Sequence, residues 1–73
     1  MDTCASLERA AHAAGSWFKL AHKLGVSHQM IYIWRKRGYV PPKRALQIEL
    51  YYGIAAKDLI DPELLEIATL INP

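Results

Sequence analysis

A second cysteine is missing from these 73 residues, so Cys4 belongs to no internal disulfide and no cysteine-rich zinc site. No apolar run approaches the roughly 18 residues of a membrane span. Asp2 and Glu8 spoil the basic opening of a signal peptide. A glycine-rich phosphate loop is also missing, since the four glycines are scattered. No stretch alternates strictly enough for a strand, and no segment is of low complexity. A chain this short leaves little room for a substrate cavity of several hundred cubic ångströms. The expectation is one small, soluble, cytoplasmic domain with a thin core.

The most telling absence is that of acids. Between Arg9 and Ile48 there is none, whereas eight lysines and arginines and all three histidines fall there. From Glu49 onward the balance reverses, with five acids against Lys57 alone. The net charge of +2 conceals this division. A long acid-free segment suits a surface facing a polyanion, and the acidic remainder suits a surface held away from it. Solvated helix faces are the plainer explanation, and they need no partner.

What is present is helical periodicity. Leu7, Ala10, Ala11 and Ala14 share one face of a first helix, which Gly15 ends. Ser16 is placed to cap a second helix carrying Trp17, Leu20, Ala21 and Leu24 on its inner stripe. Gly25 stops that helix, and Ser27 caps a third that runs to about Arg37 before Gly38. Val40-Pro41-Pro42 forms an extended link, because a proline disfavours helix in the residue before it. Pro42 fits the first turn of a fourth helix reaching Tyr52 and Gly53. A helical turn near 55–59 and a last helix begun by Asp61-Pro62 complete an all-α chain of about five helices.

Ala21, Gly25 and the capped helix behind them describe a tight helix-turn-helix. The alanine lets the next helix cross closely, and the glycine accepts a left-handed turn. On a wheel of about 100° per residue with Ile31 inward, Ser27 and Trp34 fall on the buried side. Gln29 and Lys36 point roughly 150° away, with Tyr32 and Ile33 beside them and His28 nearer the edge. An outward tyrosine and isoleucine suit a face that is covered by something. A DNA major groove would accept it: glutamine can pair with adenine, lysine with guanine, and an apolar group with a thymine methyl.

From about Trp17 to Lys36 the chain resembles the helix-turn-helix of phage repressors. Gly25-Val26-Ser27, Ile31, Trp34, Gly38, Val40-Pro41, Ala45-Leu46 and Ile48-Glu49 follow in order the pattern of the small Cro-type regulators. The resemblance covers Leu7 to Leu59 and implies a lambda-repressor-like fold, with residues 1–60 as the DNA-binding domain. Its helix-turn-helix would span about 17–37 and its recognition helix about 27–37. It implies base reading by Ser27, His28, Gln29, Tyr32, Ile33 and Lys36. His28 and Ile33 stand where relatives often carry polar residues, which bears on the preferred base sequence. The implied role is repression at double-stranded operator DNA as a homodimer.

Phosphate contacts are expected from Ser16 and the Trp17 amide, and from Lys19, Lys23, Arg35, Arg37, Lys43 and Arg44. Residues 61–73 are expected to supply the dimer interface through Leu64, Leu65, Ile67, Leu70 and Ile71, whose apolar stripe wraps too far round for one contact. No cofactor, metal, small-molecule substrate or enzymatic activity is expected, because no carboxylate in the basic segment could orient His12, His22 or His28. The rival reading is a protein-interaction module, such as the antitoxin of a toxin pair, with Tyr32 and Ile33 as anchors.

Overall fold

The computed structural model describes the backbone of residues 3–71 and the side chains of residues 5–67. Among the described residues five α-helices follow one another: α1 Thr3–Ala14, α2 Trp17–Leu24, α3 His28–Arg37, α4 Pro42–Tyr52 and α5 Pro62–Ile71. A short 3-10 turn, Ala56–Asp58, stands between the last two, and there is no strand among the described residues.

The core draws on each element as far as Leu59. Leu7, Ala10 and Ala11 of α1 meet Leu20, Ala21 and Leu24 of α2, with Ile31 and Trp34 of α3. Val40, Ala45, Ile48, Ile54 and Leu59 close it from the other side. Ala14 and Val26 are only partly buried against this cluster. The alanines on α1 and α2 keep the helices close, so a small chain encloses a full tryptophan.

The α2–α3 join has the form that its sequence suggests. Ser16 is extended and its hydroxyl accepts the Lys19 N–H at 3.0 Å, capping α2. At the other end the Val26 N–H reaches the Ala21 carbonyl at 3.0 Å and the Gly25 N–H reaches His22 at 3.2 Å. This is a Schellman closure, which requires a left-handed residue, and Gly25 has φ +74°. A Cβ built there would meet nothing within 4 Å. The demand for glycine is therefore one of backbone conformation and not of space.

Two bonds over long sequence separations fix the rest. Arg44 Nη1 donates to the Leu24 carbonyl at 2.8 Å and to Gln47 Oε1 at 2.7 Å. An α4 side chain thus satisfies a carbonyl at the end of α2 that no helical N–H can reach. The Val40 N–H donates to the Leu59 carbonyl at 2.7 Å, tying the α3–α4 link to the segment after the 3-10 turn.

One expectation needs amending. Ser27 is exposed and not on the buried side of α3, because as the N-cap it lies outside the helix that the wheel describes. On α5, Glu63 through Ile67 are all exposed, including Leu64, Leu65 and Ile67. Asp61 does start that helix, its Oδ1 accepting the Glu63 N–H at 3.0 Å. The side chains of Leu70, Ile71 and Cys4 lie outside the described residues.

Candidate nucleic-acid interface

The candidate reading face is built by α3. Its register is set from inside: Ile31 and Trp34 are each 1% exposed, which turns Gln29, Tyr32, Ile33 and Lys36 to the surface together. His28 joins them at the first turn. Tyr32 is 59% exposed and Ile33 44%. Trp34 cannot stack on a base from this position, since it is the largest fully buried side chain.

Both helices of the turn begin on this side with a serine cap. Ser27 Oγ accepts the Met30 N–H at 3.3 Å, as Ser16 Oγ accepts that of Lys19. At α2 the Leu20 N–H bonds the Ser16 carbonyl, so the Trp17 and Phe18 amides are the donors left for an outside acceptor. Neither helix has an acid in its first turn. Their positive dipole ends are therefore not offset by an acid of their own first turns.

The flanking cations are held in different ways. Arg35 lies over the Trp17 ring at 4.2 Å and Arg37 over Tyr39 at 4.4 Å. Lys23 lies over Tyr51 at 4.8 Å. Such stacking orients a cation while leaving its charge available. Lys19, Lys36 and Lys43 are exposed. Arg44 differs: it is half-buried, and its bonds to Leu24 and Gln47 make it a brace between α2 and α4.

Two residues near this face carry no assignment from the sequence. Glu8 of α1 lines a shallow groove with Tyr32, Arg35 and Lys36, which brings a carboxylate to the rim of the cationic surface. Phe18 of α2 is 69% exposed, with its ring centroid 6.4 Å from that of His28. The signal for Phe18 was its phase, since it falls off the Trp17, Leu20, Ala21, Leu24 stripe. Among the described residues, no cluster of histidine, cysteine and carboxylate side chains could hold a metal ion. No helix of the described residues is long and apolar enough to cross a membrane.

A family model for the bacteriophage CI repressor helix-turn-helix domain matches residues 5–61, well over half of the chain. None of the curated proteins and none of the solved structures matches it.

Proposed function

Because the chain belongs to the bacteriophage CI repressor helix-turn-helix family, and so to a family of DNA-binding regulators, we propose that it is a sequence-specific repressor of Cro type. In this reading residues 1–60 form the DNA-binding unit and place α3 in the major groove of double-stranded operator DNA. Ser27, His28, Gln29, Tyr32, Ile33 and Lys36 read base edges. Ser16, the Trp17 amide, Lys19, Lys23, Arg35, Arg37 and Lys43 hold phosphates on either side. Occupancy of the operator excludes transcription, and the chain carries out no catalysis. The observation that most supports the reading is the outward face of α3, where Gln29 and Lys36 stand with the exposed Tyr32 and Ile33.

The test begins with selection of bound duplexes from a random DNA pool. On the recovered site, Gln29→Ala is expected to lose about 1–3 kcal/mol of discrimination at one base pair per half-site. Its binding to unrelated duplex should stay close to that of the parent. Gel shifts on matched single-substitution duplexes measure both. Equal weakening on the selected and unrelated DNA would remove Gln29 from the reading face.

Residues 61–73 complete the proposal as the segment through which two copies pair. Leu64, Leu65 and Ile67 are exposed on α5, and Leu46 and Leu50 are exposed on α4, so apolar surface is available that the core does not use. Leu70 and Ile71 extend the same sequence stripe. Pairing buries this surplus, and the acids of α5 suit a position away from phosphate. The two recognition helices then lie about 34 Å apart, one turn of DNA. Sedimentation at micromolar concentration is expected to show a dimer. Ile67→Glu should weaken it by more than about tenfold, from the lost burial alone, while the thermal melt of the monomer stays put. A parent chain that is monomeric and occupies one half-site without cooperativity would refute the pairing and leave α3 unaffected.

A further inference from the structure

Phe18 is a large side chain beside the reading helix that neither the core nor the proposed contacts use. At 69% exposure its ring forgoes most of the free energy that burial would return. It is not isolated, however. The ring centroid of His28, the first residue of α3, lies 6.4 Å away at an interplanar angle of 52°. Phe18 also lines an open groove with Ala14, Lys19, His22, Lys23 and Tyr52, of which none is an acid.

Position and chemistry together narrow the occupant. In helix-turn-helix docking the first helix crosses the DNA backbone, and the amino-terminal residues of the second touch base edges. Phe18 stands between these two roles. Its own amide is one of the donors at the start of α2 that suit a phosphate, and its ring neighbours the first base-reading position of α3. A phenyl ring offers no hydrogen bond, so it cannot read a donor or acceptor on a base. The major-groove edge presents one apolar group, the C5 methyl of thymine.

We propose that Phe18 is a further specificity residue, which reads the C5 methyl of a thymine next to the base pair contacted by His28. The inference rests on the DNA-binding reading above and adds to it a residue of the helix otherwise assigned to the backbone. Phe18 and Ile33 then read thymines at different positions of the half-site, one from each helix of the turn.

The experiment uses the duplex recovered by selection, with each thymine replaced in turn by deoxyuridine, which removes only the methyl. The parent chain, Phe18→Ala, Phe18→Leu and Ile33→Ala are compared by titration. At one thymine per half-site the parent is expected to weaken about fourfold on replacement, as for one buried methyl group. Phe18→Ala should be weaker than the parent on the thymine duplex by at least that factor and indifferent to the replacement. Phe18→Leu should keep part of the response, and Ile33→Ala all of it. The dependence on salt should not change, since no phosphate contact is removed. Should Phe18→Ala melt early, Phe18→Leu carries the comparison.

A Phe18→Ala chain that binds as tightly as the parent, or that keeps the full response to every deoxyuridine, overturns the proposal. The same applies if its loss is equal on all duplexes, as an unspecific sugar or protein contact would give. A parent chain that binds no duplex at all refutes the DNA-binding reading and this inference with it, so the two failures are distinguishable.

Discussion

Trp34→Ala is expected to leave most of the chain unfolded on mild heating. Trp34 is 1% exposed and is the largest side chain that the core encloses. Removing a buried tryptophan typically costs about 3–5 kcal/mol, through lost transfer energy and the cavity left behind. A chain of this length has roughly 4–11 kcal/mol of stability in total. The midpoint of thermal unfolding should fall by more than about 12 °C. Trp34→Phe should be far milder. The indole Nε1 has no hydrogen-bond partner among the described residues, so the smaller ring gives up volume and no polar contact. Circular dichroism melts decide the matter. A Trp34→Ala chain that melts near the parent but loses DNA binding would place the indole on the DNA instead.

The second large effect is of salt. If six to ten phosphates are neutralised by two copies of the basic face, affinity for duplex should fall by roughly 10³–10⁵ between about 50 and 200 mM salt. Lys19 and Lys43 are exposed, and the stacked Lys23, Arg35 and Arg37 are held on aromatic rings, so their number is sufficient. Each single replacement among them removes one contact from each copy, so it should reduce the slope by about two and act alike on all sequences. A protein-interaction module anchored by Tyr32 and Ile33 would respond weakly, because burial of apolar side chains releases no counterions. Binding to duplex that is flat in salt would therefore favour a protein partner over DNA.

The backbone plan was legible because its punctuation is chemical. Ser16 and Ser27 cap, Gly25 and Gly38 take left-handed φ, and Pro42 opens α4, each by a local requirement that a short stretch of sequence carries. The buried phase of Trp34 followed from Ile31 three residues earlier. What could not be read depends on distant partners. Arg44 looks in sequence like another surface cation, and only the approach of α4 to the end of α2, twenty positions away, makes it a brace. Glu8 belongs by sequence to the first helix, yet packing brings it beside Lys36. The exposed leucines of α4 and α5 were obscure for a related reason. A helical stripe states that a face is apolar, and not whether the same chain covers it.

The bond from the Val40 amide to the Leu59 carbonyl has a consequence for how the domain opens. Both residues are fully buried, and all of α4 lies between them. Fraying from the far end of the chain cannot pass Leu59 without releasing the link directly behind α3. Loosening there exposes Val40 and Ile48 at once, so the last third of the core tends to open as one cooperative unit and not residue by residue. Just ahead of that unit, α3 is held at its exit by this bond and at its entry by the Gly25 turn. A helix clamped at both ends has little orientational entropy left to lose when it meets a ligand. Being fully buried, the latch acts on affinity without touching the ligand, through order that already exists before binding.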